Sequence, residues 1–231
     1  MRMTAFAIRM AIDTPVAINQ LLHFDGLLGY QLARRGENPL RLPLREVEGV
    51  FCGSAALFET GPFGAVEHSV TRVKIVREHG RVLSNALTKQ QVIGEMSPYR
   101  PQLREYTVFD SVKAVWFAGS GDSGAVFDLV RNLLSIGAMA TAGYGRIADR
   151  KLFTLPRVSS PGLLLGNGLP ARAVPIHVWK TLELPIHPHA LVSEQRYRPP
   201  YWESELTTCI APSYYDLCGT FAEIRGMLGF E

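Results

Sequence analysis

The chain has 231 residues, enough for one large domain or two small ones with a real core. Apolar residues make up 47% and charged residues 19%, which excludes a disordered polyelectrolyte, and no apolar run approaches a membrane span. The net charge of +3 is unevenly spread: residues 1–120 hold 14 Lys/Arg against 11 Asp/Glu, while residues 121–231 hold 10 of each.

Cys52, Cys209 and Cys218 form neither a disulfide framework nor a zinc pattern, so they read as reduced thiols of a cytoplasmic protein. Met1-Arg2-Met3-Thr4 leads straight into a strand-like stretch, with no signal-peptide apolar region. No membrane association, metal or cofactor is expected.

Thr4 to Ile12 alternates like a strand. Asp25 to Ala33 reads as a helix, with Asp25 as N-cap, an apolar stripe through Leu27, Leu28 and Leu32, and Arg34-Arg35-Gly36 closing it. Val47 to Phe58 and Val66 to Val76 read as strands around the turn Glu59-Thr-Gly-Pro-Phe-Gly64. A polar arm follows, about residues 78–105; within 79–105 Arg81, Lys89, Arg100 and Arg104 face only Glu95 and Glu105. Tyr106 to Phe117 is another strand. Gly119-Ser-Gly-Asp-Ser-Gly124 is a turn capping a second helix, Ala125 to Leu134, and Tyr144 to Leu155 is the last strand.

The second helix and last strand are joined by Ile136-Gly-Ala-Met-Ala-Thr-Ala-Gly-Tyr-Gly-Arg-Ile147. A backbone this bare can take positive φ and lie close to a ligand. The order helix, loop, strand has the wrong polarity for a dinucleotide fingerprint, and no Walker-type lysine is present. The competing reading is a close-packed connection with Gly137 as a helix C-cap.

The element order is β-α-β-β-(β)-α-β: an α+β, ferredoxin-like or RRM-like domain over residues 1–155 with an inserted hairpin. Residues 156–231, rich in proline and aromatics, predict a smaller, irregular C-terminal lobe with short elements at Ala173 to Leu184 and Tyr214 to Met227.

The loop text Gly137-x5-Gly143-Tyr144-Gly145-Arg146 resembles the signature glycine loop of the RAMP superfamily of CRISPR-associated RNA-binding proteins. His23-Phe-Asp-Gly-Leu-Leu-Gly-Tyr-x-Leu-Ala-Arg-Arg35 opens the first helix much as in the Cas-five-type subunit of type IV CRISPR complexes, and the basic arm sits where those subunits carry a thumb. The resemblance covers roughly residues 1–155. It implies a non-catalytic subunit that caps the effector ribonucleoprotein at the 5′ handle of the crRNA. Its implied partners are the backbone and large subunits, target DNA through the assembled complex, and a DinG-like helicase.

The residue chemistry is compatible with that implication. Tyr99 and Tyr144 offer π faces to unstacked bases. Arg34, Arg35, Arg100, Arg104 and Arg146 supply fork-shaped donors to phosphates, and Lys89 adds a point charge. Loop amides around Gly143 can donate to phosphate. Met139 and Thr141 stand at the loop tip, where an apolar side chain needs a partner. Each has a rival reading: Arg34 and Arg35 complement a helix C-terminus, Tyr144 belongs to the core, and the arm's cations are solvated. His23 is expected to touch RNA; alternatively it is the acid–base group of a crRNA-processing endoribonuclease of the same fold. A third reading is an unrelated α+β small-molecule enzyme with a structural loop. Tyr201 and Trp202, in Tyr197-Arg-Pro-Pro-Tyr-Trp202, are candidate anchors of a protein interface.

Overall fold

The computed structural model describes residues 4–62, 64, 67–74, 102–155, 160–201 and 204–230. They form a mixed α+β fold built on one five-stranded sheet with four α-helices. The strands in chain order are β1 (Thr4–Ile12), β2 (Val16–Ile18), β3 (Glu46–Val47), β4 (Val50–Phe51), β5 (Leu57–Thr60), β6 (Glu67–Lys74), β7 (Gln102–Phe109), β8 (Val112–Gly121), β9 (Ile147–Thr154), β10 (Val174–Pro175), β11 (Leu191–Gln195), β12 (Thr207–Ala211) and β13 (Cys218–Gly219). The helices are α1 (Phe24–Arg34), α2 (Ser123–Val130), α3 (Ile176–Thr181) and α4 (Phe221–Met227).

The main sheet runs β13-β5-β8-β1-β9, antiparallel throughout except for β13, which lies parallel to β5. Side-chain alternation on β1 explains its two faces. Phe6, Ile8, Met10 and Ile12 point toward α1 and α2, where they meet Leu28 and Val126 in one core. Ala7 points to the other face, and its small size leaves room there for Trp116 of β8 and the C-terminal residues Leu217, Ile224 and Leu228. Both faces are therefore covered. A second sheet, β2-β7-β6, and a third, β10-β12-β11, flank the main one.

On the C-terminal face, Glu59 accepts from Arg9 Nε and Nη2, both at 2.8 Å, and from Trp116 Nε1 at 2.7 Å. Burial alone pushes the Glu59 carboxyl up, but these partners hold it below the usual range.

Several elements differ from the sequence expectation. Val47 to Phe58 is not one strand, because Glu48 and Gly49 both take positive φ, 50° and 76°, and turn the chain into the β3–β4 hairpin. Tyr106 to Phe117 splits at Asp110 into β7 and β8, which serve different sheets. Gly119 and Ser120 belong to β8 rather than to a turn. Asp122 does cap α2, its carboxylate accepting from the Ala125 amide at 3.0 Å. Gly121 is glycine because a Cβ there would lie 2.2 Å from the Pro43 carbonyl oxygen.

Asp25 is not the N-cap of α1. His23 holds that position, without a side-chain cap bond, and Asp25 is drawn into the interior by Arg172. Helix α2 ends at Val130, not Leu134: Arg150 of β9 donates to the carbonyls of Val130 (3.1 Å) and Leu133. The last strand starts at Ile147 rather than Tyr144, since Ser135 and Arg146 bridge and close the glycine loop first.

Arg172 and Asp25 are both fully buried and pair at 2.9 Å. Arg172 also donates to the carbonyls of Phe51 (2.6 Å), Gly53 (3.0 Å), Ala173 (3.3 Å) and Tyr197, and to Tyr201 Oη (3.1 Å). Burial opposes the guanidinium charge, yet Asp25 and Tyr201 raise its pKa further above the ordinary value. Removing one partner strands the other charge in the interior. Arg172→Met is expected to lower the unfolding free energy by about 3–5 kcal/mol, read from urea denaturation; a loss below about 1 kcal/mol would show that the pair does not lock the fold.

Candidate functional site

The glycine loop sits against the N-terminal half of the molecule. Ala138 N donates to Ala17 O (2.7 Å), Gly145 N to Pro15 O (2.7 Å), and Ile136 N to Gly145 O (2.9 Å). Gly137, Met139, Gly143 and Gly145 all take positive φ. Gly137 is not a helix C-cap; it crosses Ala17, where a Cβ would lie 2.5 Å from the carbonyl oxygen. A Cβ on Gly145 would lie 2.0 Å from Ile136 O, whereas nothing stands within 4 Å of one on Gly143. The loop is tied down at its base and bare at its tip.

The predicted loop residues fall into two groups. Met139 and Tyr144 pack against Tyr106, Val108 and Ala17, so the partner that Met139 requires lies within the chain. Thr141 and Gly143 are exposed. Arg146 is exposed at the loop exit, its Nη2 3.1 Å from Asp13 Oδ2 and its amide bonded to Thr14 Oγ1 (2.9 Å).

A cavity of about 500 Å³ lies between this loop and α1. Leu27, Ile136 and Ala138 give it apolar walls, and His23, Gln31 and Tyr201 give it polar ones. The exposed lining residues Tyr30, Arg34 and Leu134 mark its mouth. The Arg34 guanidinium lies 6.0 Å from the Tyr30 ring centre. Arg35 turns away and donates to Asp128 O at 3.0 Å, joining the end of α1 to α2.

His23 is buried and stacked on Tyr201, ring centres 5.3 Å apart and planes 2° from parallel. Tyr201 is committed inward: its hydroxyl donates to Asp25 Oδ1 (2.7 Å) and accepts from Arg172. Gly26 makes space for that ring, since a Cβ would fall 2.8 Å from it. His23 Nδ1 and Gln31 Nε2 are buried without any hydrogen-bond partner. Burial, and then the nearby Arg172 charge, push the His23 pKa well below its ordinary 6.5, so the imidazole is neutral at neutral pH.

Lys89, Tyr99, Arg100 and Trp202 lie outside the described residues. Arg104 is placed by backbone register in β7, opposite Arg72 of β6. Among the described residues, no group of three His, Cys, Asp or Glu could hold a metal ion, and no helix is long and apolar enough to cross a membrane.

Gln31 and Arg172 were not singled out from the sequence. Gln31 interrupts the stripe Leu27-Leu28-Leu32, and Arg172 interrupts the small apolar run Pro170-Ala-Arg-Ala-Val174. A polar residue on a buried stripe is the signal that marks both. Neither a known protein-family model nor any characterised protein matches this chain in sequence.

Gly145→Ala must adopt left-handed φ, at about 1–2 kcal/mol, and must also displace the Ile136 carbonyl. It is expected to cost more than about 2 kcal/mol in urea denaturation, while Gly143→Ala costs only about 1–2 kcal/mol; equal losses would contradict the tied-base, bare-tip arrangement.

His23 has a folded pKa below its unfolded one, so the unfolded chain binds the extra proton. Its contribution to stability is complete above about pH 6.5 and is lost as pH falls from there toward the folded pKa. Melting temperatures measured from pH 7.5 to 5 should fall less for His23→Phe than for the parent. Parallel curves would remove His23 from the acid response.

Proposed function

We propose that this chain is a non-catalytic crRNA-binding subunit of the RAMP superfamily, of the Cas-five type in a type IV CRISPR effector complex. The observation that carries the reading is the open cavity between α1 and the first limb of the glycine loop, Ile136 to Ala140, with Arg34 at its mouth. Single-stranded RNA is held by stacking faces, cations and bare backbone, and this seam brings all three together.

The sheet order supports the finer fold. Without β13 it reads β5-β8-β1-β9, which is second-third-first-fourth in a βαββαβ chain, with α1 and α2 on one face. That is the order a ferredoxin-like domain requires. The ribbon β6–β7 pairs from Glu67–Phe109 to Lys74–Gln102, and in this reading the basic segment that joins Lys74 to Gln102 in the chain is the thumb. Ala138 bridges Ala17 of β2, which pairs with β7, linking the glycine loop to this ribbon. The sheet's second face carries Trp116 under C-terminal residues and is not open to RNA.

In this reading the protein is cytoplasmic and binds RNA without cutting it. A histidine held neutral in the interior is a poor proton donor to a leaving group at neutral pH. In this reading His23 lines the RNA site rather than performing cleavage. Lys89, Tyr99, Arg100 and Arg104 serve the thumb, and Tyr201 holds the cavity wall while Trp202 is offered to a neighbouring subunit. The large and backbone subunits, target DNA and a DinG-like helicase join through the complex.

The tagged chain, purified from its native cells, is expected to bring down crRNA with uniform mature 5′ ends, and His23→Ala is expected to leave those ends in place. Purified protein should bind single-stranded RNA with a salt slope of about 0.7 per phosphate contact. Arg34→Ala together with Arg146→Ala should flatten that slope. Recovery of no RNA, or binding without salt dependence, would sink the reading, and loss of mature ends in His23→Ala would make the chain the processing nuclease.

A further inference from the structure

We infer that the cavity between α1 and the glycine loop is a receptor for one unstacked nucleobase, whose edge is read by Gln31 and His23. This rests on the RNA-binding reading and specifies what enters the site. The size fits, since cavities of about 300–1,000 Å³ are those that hold small ligands, and this one measures about 500 Å³. The wall chemistry narrows the choice. Leu27, Ile136 and Ala138 favour an apolar, flat guest. His23 and Gln31 line that wall, and their buried Nδ1 and Nε2 have no bonding partner in the protein, which is unfavourable unless the two side chains turn toward a guest that supplies one.

Gln31 Nε2 is a donor and requires an acceptor, such as a ring nitrogen or exocyclic carbonyl. A neutral imidazole can present either a proton or a lone pair at Nδ1, so it adapts to the neighbouring position on the same edge. A hydrocarbon guest would leave both atoms unpaired. An anion inside would find no charged partner in the described wall, because the Arg172 charge is already taken by Asp25 and Arg34, the one cation among the described lining residues, stands at its mouth. An uncharged heteroaromatic ring inside, with its phosphate outside against Arg34, satisfies every part. Tyr30, 53% exposed beside Arg34, offers a face to a ring at the entrance.

The base can come from an RNA strand or from a free nucleotide, and calorimetry on the full chain separates the two. The probes are the 5′-monophosphates of adenosine, guanosine, cytidine and uridine, adenosine itself, ribose 5-phosphate, and a short fluorescent single-stranded RNA of mixed sequence. At least one nucleotide is expected to bind and to displace the RNA, with ribose 5-phosphate weaker by about tenfold or more. Gln31→Leu replaces an unpaired buried amide by an apolar group, so the fold should be retained with an unchanged or higher melting temperature, while nucleotide affinity drops by about tenfold. Arg34→Ala should weaken nucleotides more than adenosine.

Ribose 5-phosphate binding as tightly as the nucleotides would overturn the inference, as would unchanged nucleotide affinity in Gln31→Leu. RNA binding that no nucleotide displaces, with no nucleotide bound, removes the base receptor and leaves the RNA reading standing. Nucleotide binding without RNA binding keeps the receptor, assigns it to free nucleotides and removes the RNA reading. Binding of neither removes both.

Discussion

Arg172 and Asp25 carry opposite charges into a place water does not reach, and the chain has to close around them. Desolvating two ions is expensive enough that the pair is tolerable only if the remaining donors and lone pairs are satisfied. Here the carbonyls of Phe51, Gly53, Ala173 and Tyr197, and the Tyr201 hydroxyl, complete the shell. Those groups come from the segment before β5, from the segment leading into β10, and from the stretch after β11. Asp25 itself stands in the first turn of α1. Satisfying one guanidinium therefore fixes the start of the helix, the cover on the second sheet face and one wall of the cavity together. His23 inherits its position from this lock, because the ring it stacks on is held by Asp25 and Arg172.

The glycine loop obeys a different constraint. Its base crosses Ala17 and Ile136 at distances that no Cβ permits, so Gly137 and Gly145 are structural. Met139 and Tyr144 turn back onto Tyr106 and Val108 and anchor the loop to the second sheet. What remains outward is Thr141, Ala142 and Gly143, in a turn closed by the Ala142 and Gly143 amides donating to the Met139 and Ala140 carbonyls.

With helices on one face of the main sheet and C-terminal residues on the other, the open recess lined by polar groups falls at the seam between α1 and the loop. The seam combines a rigid floor with a charged, aromatic mouth. The buried, unpaired atoms of His23 and Gln31 are the feature of that floor which the fold itself does not account for. Among the described residues four buried side-chain atoms lack a partner, those of His23, Gln31, Trp179 and Ser204, and the first two belong to residues that line the cavity.

The sequence determined the alternating face of β1, the existence of α1 and α2, the Asp122 cap and the bare glycine loop, because periodicity, capping and glycine content are local properties. It also marked His23, Arg34, Thr141 and Gly143 among the candidate RNA contacts. Tertiary structure decided the rest. Asp25 reads as an N-cap until Arg172, far along the chain, draws its carboxylate inward. Met139 reads as a tip residue seeking a guest until Tyr106 and Val108 supply the contact. The end of helix α2 reads four residues too late, because Arg150 takes the carbonyls at its end. Gln31 becomes a candidate ligand only when α1 and the loop enclose a cavity around it. In each case the deciding partner is distant in sequence, and a local pattern carries no information about which remote group will arrive to satisfy a charge, a carbonyl or an apolar face.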